Sequence, residues 1–162
     1  MAQEIERKFL VMGTEWKAGA TGLPFRQGYL SSARERIVRV RTEGDRARLT
    51  IKGPGVGLVR SEFEYDIPAA EAAQMLDSLC EQPLIEKTRY HVRVGRHVWD
   101  IDEFDGQNRG LVVAEVELAS PEEPFERPAW LGREVTDEPR YLNANLIHRP
   151  YCTWATHADD RS

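Results

Sequence analysis

The chain has 162 residues, 41% hydrophobic and 30% charged, with a formal net charge of −5 at pH 7, a profile that suits one soluble domain with a core of its own. That acidic balance argues against a general nucleic-acid binder, which needs surplus Lys and Arg to displace counterions from phosphates. No apolar run reaches bilayer length and the first residues run straight into charge, so no membrane partner or signal segment is expected and the expected location is cytoplasmic.

Period-two alternation predicts eight strands, at about 3–11, 24–31, 35–43, 46–53, 58–67, 84–94, 96–104 and 111–119. The first places Glu4, Glu6 and Lys8 on one face, two carboxylates beside an ammonium. Such a group suits a divalent cation and the anion that accompanies it. Turn residues separate the strands, with Gly44-Asp45 after the third, Gly53-Pro54-Gly55 after the fourth and Gly95 before the seventh. Their short spacings predict antiparallel hairpins. A helix is predicted from Pro68 to about Cys80, with Ala72, Leu76, Leu79 and Cys80 as its apolar stripe. Ser120-Pro121-Glu122-Glu123 reads as a capping box opening a short helix that Pro128 limits. Another helix, about 139–148, sets Leu142 and Leu146 one turn apart. One domain is expected over 1–154, with 155–162 as a flexible tail. Cys80 and Cys152 lack metal-type spacing and are assigned no function.

Sorted by parity, the strands have one apolar face, which includes Phe9, Val40, Ile51, Phe63, Tyr90, Trp99, Ile101 and Val116, and one ionic face. The ionic face carries Glu4, Glu6 and Lys8, then Gln27 and Tyr29, Arg39 and Arg41, Arg48, Thr50 and Lys52, and Arg60, Glu62 and Glu64. Lys87, Arg89 and His91, Asp100 and Asp102, and Glu115 and Glu117 continue it. Eight antiparallel strands suffice to close a barrel. With the apolar face inside, it would resemble a lipocalin; with the ionic face inside, it would be a charged tunnel. Closure that brings the first strand near the last gathers Glu4, Glu6, Glu115 and Glu117, which is unfavourable without a counterion. Hard divalent cations bind such oxygen clusters.

The ordered fragments Glu4-Ile5-Glu6-Arg7-Lys8, Arg26-Gln27-Gly28-Tyr29, Val38-Arg39-Val40-Arg41, Thr50-Ile51-Lys52, Glu62-Phe63-Glu64, Glu86-Lys87-Thr88-Arg89, Asp100-Ile101-Asp102 and Glu115-Val116-Glu117 resemble the CYTH, or triphosphate tunnel metalloenzyme, superfamily over roughly 3–145. The resemblance implies a mainly β fold, a closed eight-stranded antiparallel tunnel with its charged face inward and a few flanking helices. It also implies metal-dependent attack of water on inorganic triphosphate, giving pyrophosphate and phosphate. Lys8, Arg39, Arg41, Lys52, Lys87 and Arg89 are the expected phosphate contacts, since Arg grips two oxygens and Lys acts as a point charge. Glu4, Glu6, Glu115 and Glu117, with Asp102, are the expected ligands of Mg2+ or Mn2+, and Glu62 and Glu64 the supporting acids. Tyr29 has inward parity, and a neighbouring Lys52 would favour its phenolate, making it a candidate general base; an ordinary hydrogen-bonded barrel tyrosine is the other reading. Related tunnels also serve as nucleoside or thiamine triphosphatases and class IV adenylate cyclases, and a non-catalytic polyphosphate-binding module stands as a further alternative. Leu142 occupies a position where related short bacterial sequences often carry a basic or polar residue, and Arg140 is the nearest compensating charge. The apolar outer faces leave room for a homodimer.

Overall fold

A computed structural model of the chain describes residues 3–56 and 59–154; the tail expected at 155–162 lies outside the described residues. The strands are β1 (Gln3–Val11), β2 (Gly22–Ala33), β3 (Arg36–Glu43), β4 (Arg46–Val56), β5 (Val59–Asp66), β6 (Ile85–Val94), β7 (His97–Phe104), β8 (Val112–Glu117) and β9 (Leu131–Glu134). The helices are α1 (Ala69–Ser78) and α2 (Asn143–Leu146). No helix among the described residues is long and apolar enough to cross a membrane.

All pairings are antiparallel and run β5-β4-β3-β2-β6-β7-β8-β1, and β1 pairs back onto β5. Eight strands therefore close a ring, as the sequence predicts. The start of β1 meets β5 through Gln3↔Ser61, Glu4↔Arg60 and Ile5↔Val59. Past that point β9 takes over the same edge, opposite Phe9 and Val11. This ninth strand was not foreseen: Leu131-Gly132-Arg133-Glu134 has no clear alternation, and it is strand only because the edge that β5 vacates offers unpaired backbone groups.

Two local predictions fail. Around Ser120 there is a turn rather than a helix: Glu123 Oε1 accepts from the Ala119 N–H (2.6 Å) and the Glu123 N–H donates to the Ser120 carbonyl (3.2 Å). Glu123 precedes Pro124, whose ring disfavours helical backbone at the residue before it. The 139–148 helix is split into a 3-10 turn at Pro139–Tyr141 and α2, with Leu142 extended between them (φ −69°, ψ 133°).

The core lies outside the ring. Phe9, Trp99, Ile101, Ala114 and Val116 pack with Phe125 and Trp130 from the chain that crosses them. Ala72 and Leu76 of α1 cover Val40 and Ala47. Leu10, Ile85, Phe104, Tyr141 and Leu146 close one end. The apolar parity is thus the outer one and the ionic parity the inner. At Gly28, β2 passes so close under the loop after α1 that a Cβ would sit 2.7 Å from Leu84 Cδ2 and 2.8 Å from Cys80 Cβ. Gly28→Ala is expected to cost about 1–3 kcal/mol by overpacking, read as a lower urea midpoint at unchanged m-value.

Candidate active site

The inner face encloses a cavity of about 340 Å3 lined by side chains from every strand of the ring and by Leu142, Asn143 and Ala144, which plug the end next to α2. Among the sequence-predicted residues, Glu4, Glu6, Lys8, Tyr29, Arg39, Arg41, Lys52, Glu62, Glu64, Lys87, Arg89, Glu115 and Glu117 line it. Alternation puts them there: in each strand the intervening residues point to the outer face, where Phe9, Val40, Tyr90, Trp99 and Val116 join the core while Ile51, Phe63 and Tyr65 are exposed.

Asp102 does not line the cavity. It is fully buried, Arg89 forks onto both its oxygens (2.7 and 2.8 Å), and Lys87 Nζ stands 2.7 Å from Oδ2. Burial alone would raise its pKa, but Arg89 and Lys87 together hold it well below the usual carboxylate range. With both oxygens engaged by cations, Asp102 anchors the tunnel bases Arg89 and Lys87. Burial, helped by the nearby Arg89 and only partly offset by Asp102, pushes the Lys87 ammonium down to about 7. Its further hydrogen bond goes to Asn143 Oδ1 (3.1 Å). Lys8 Nζ donates to the Tyr141 carbonyl (3.2 Å) and lies 4.0 Å from Glu115. The plug therefore supplies neutral acceptors to two tunnel lysines.

Further round the wall, on β3, Arg41 pairs with Glu43 (2.6 Å) and Arg39 donates to Thr50 Oγ1 (3.2 Å), with Glu64 3.8 Å away. Burial, with repulsion from Arg39 and Arg89, lowers Arg41 to about 10. Glu64 is chiefly the partner of Arg48 (2.7 Å).

Lys52 Nζ bridges Glu4 (2.9 Å) and Glu62 (3.4 Å). Glu6 stands opposite Glu117 in register, and Lys8 opposite Glu115. Enclosure in the tunnel, then the neighbouring Glu115 and Glu4, hold the Glu6 carboxyl well above its ordinary value. Burial would also raise Glu115, but Lys8 and the hydrogen bond from Glu6 bring it to about 2. Glu117 is raised by burial and by Glu4. Among the described residues no three acids meet at metal-ligand spacing in this conformation. The oxygen-only set nevertheless fits a hard cation: Mg2+ keeps several waters and needs one or two carboxylates, and the crowding that raises Glu6 is what a dication would relieve.

Tyr29 and Lys52 face the same cavity but bond to different partners. The Tyr29 hydroxyl accepts from Gln27 Nε2 (3.0 Å), and that amide also reaches Asn143 Oδ1 (3.4 Å). Arg140 does not line the cavity; it stacks 4.4 Å from the Trp154 ring centroid and donates to the Tyr141 hydroxyl (3.3 Å). Several wall residues were missed, among them Phe25, Glu43 and Asn143. Phe25 and Glu43 share the parity of the inward residues of β2 and β3 and were legible from it, whereas Asn143 had no periodic signal. At the open mouth His91 Nδ1 lies 2.7 Å from Asp100.

Comparison with known proteins places these features. Residues 2–151 match the CYTH domain. An inorganic triphosphatase of Acetivibrio thermocellus is 48% identical over 151 residues, which span 93% of this chain and 97% of that protein. One from Nitrosomonas europaea is 37% identical over 147 residues, covering 88% and 95% respectively. A crystal structure of an inorganic triphosphatase superposes with a TM-score of 0.65 at 32% identity, over 91% of this chain and 95% of the other.

Proposed function

The chain belongs to the CYTH domain family, and on that footing we propose that it hydrolyses inorganic triphosphate to pyrophosphate and phosphate, using a divalent cation. The observation that carries the reading is the pairing, inside one plugged tunnel, of the bases Lys8, Arg39, Arg41, Lys87 and Arg89 with the acids Glu4, Glu6, Glu115 and Glu117. A linear polyanion engages many cations at once in such a space, where water screens poorly.

Arg39, Arg41 and Arg89 bind phosphate oxygens through their planar forks, while Lys8 and Lys87, held by the plug, act as point charges. Their positive charge offsets the negative charge shifted onto the departing pyrophosphate. The water oxygen bonds to the terminal phosphorus, the anhydride P–O bond breaks with its electron pair going to the departing pyrophosphate, and Tyr29, acting as phenolate, takes the water proton. A Mg2+ or Mn2+ held by Glu4, Glu6, Glu115 and Glu117 would supply Lewis acidity to the terminal phosphoryl group.

The test is phosphate release from tripolyphosphate, ATP and thiamine triphosphate in parallel, with cyclic AMP measured for ATP. Tripolyphosphate is expected to be the best substrate; cyclic AMP without phosphate from tripolyphosphate would replace this reading by a cyclase. Tyr29→Phe is expected to remove most turnover while leaving tripolyphosphate affinity unchanged. Full turnover in that variant would exclude Tyr29 as the proton acceptor.

The lowered Lys87 also predicts a pH dependence. The empty tunnel leaves Lys87 half neutral near pH 7, and a bound anion favours its ammonium, so binding above that pH takes up a proton. Metal-free tripolyphosphate affinity should therefore fall as pH rises from 7 towards 9, by at most about tenfold per unit. Calorimetry on the parent and Lys87→Met separates this from the ligand's own titration, which both share.

A further inference from the structure

Phe25 lies in β2, between β3 and β6, and is 4% exposed in the tunnel wall. Its register partners are Glu43 on β3 and Lys87 on β6. Arg41 and Arg89 are each two residues along from those partners, the diagonal positions from which long side chains reach an aromatic ring across a sheet. Both arrive: the guanidinium carbons of Arg41 and Arg89 each lie 4.9 Å from the Phe25 ring centroid. Two like charges from separate strands thus share one ring, and each is held at its other side by an acid, Arg41 by Glu43 and Arg89 by Asp102. The carboxylates fix where each guanidinium is tethered. The ring's negative face is the element common to both and offsets part of their mutual repulsion.

We propose that Phe25 is a positioning residue that holds the Arg41 and Arg89 guanidiniums together in the tunnel wall at the spacing that grips a phosphate chain. The inference rests on the reading of the tunnel as a triphosphate site. It assigns the ring to binding and not to bond breaking, because nothing in Phe25 exchanges a proton or touches a reacting atom.

The experiment compares the parent chain with Phe25→Leu, Phe25→Tyr and pentafluorophenylalanine at position 25, measuring calorimetric Kd for metal-free tripolyphosphate and KM and kcat for its hydrolysis. Phe25→Leu keeps apolar bulk and is expected to raise Kd and KM about tenfold with kcat little changed. The fluorinated ring keeps the shape but reverses the quadrupole, and is expected to lose as much as leucine. Phe25→Tyr, which keeps a negative ring face, is expected to bind like the parent. Parent-like affinity in the fluorinated protein would overturn the proposal, since the ring would then act through shape alone, and so would parent-like affinity in Phe25→Leu. A parent chain that binds tripolyphosphate without hydrolysing it would sink the proposed function and leave this binding comparison standing.

Discussion

Asp102→Ala is expected to be the most destabilising single change in the tunnel, costing roughly 3–5 kcal/mol, the scale for removing one partner of a buried ion pair. Lys87 and Arg89 would face each other with their shared counterion gone, and neither has another acid as close: Asp100 is 3.4 Å from Arg89, against 2.7 Å for Asp102. For a chain of this length that cost corresponds to about 6–20 °C in Tm. Asp102→Asn, which keeps a hydrogen-bonding oxygen, should lose less. Combining Asp102→Ala with Lys87→Met should recover part of the loss, because one of the stranded cations is then absent. Urea titration of the four proteins measures all of this. If Asp102→Ala keeps its stability and loses only divalent-cation affinity, then Asp102 is a metal ligand, as the family resemblance implied.

Glu115→Gln and Glu6→Gln are each expected to lower kcat by roughly 10²–10³, the scale for removing a group that stabilises developing charge, but their effects on stability should differ. The folded pKa of Glu6 is raised, so the stability it contributes is fully present below its unfolded pKa and is lost as pH rises through the folded value. Above its unfolded pKa the crowded Glu6 therefore opposes folding of the cation-free protein, and at pH 8 Glu6→Gln should melt a few degrees higher, equivalent to about 1 kcal/mol. Glu115 has the opposite sign: lowered to about 2, it contributes stability above its unfolded pKa and loses it as pH falls towards 2, so Glu115→Gln should not gain. Excess chelator is expected to abolish parent turnover, and added Mg2+ or Mn2+ to restore it. Unchanged turnover under chelation would remove the metal from the mechanism, and a Glu6→Gln protein that melts lower than the parent would show that Glu6 is a structural partner of the wall.

What the sequence determined by itself is what the pleat determines. Successive side chains of a strand point to opposite faces whatever the strand pairs with, so the inward set from Glu4 to Glu117 and the outward core of Phe9, Trp99 and Val116 were legible residue by residue. Eight alternating segments with hairpin turns also implied closure, although period alone left open which face lay inside. Tertiary structure decided the partnerships. Lys52 meets Glu4 across 48 residues of chain, and Lys8 meets the Tyr141 carbonyl across 133; no local rule encodes which cation reaches which acceptor. For that reason the pairing of Asp102 with Lys87 and Arg89 was not legible, and Asn143 was missed because its role exists only once the segment around α2 is folded into the tunnel's end. β9 is the same lesson in the backbone: four residues without a strand pattern became a strand because the closed ring left β1 with an edge to fill.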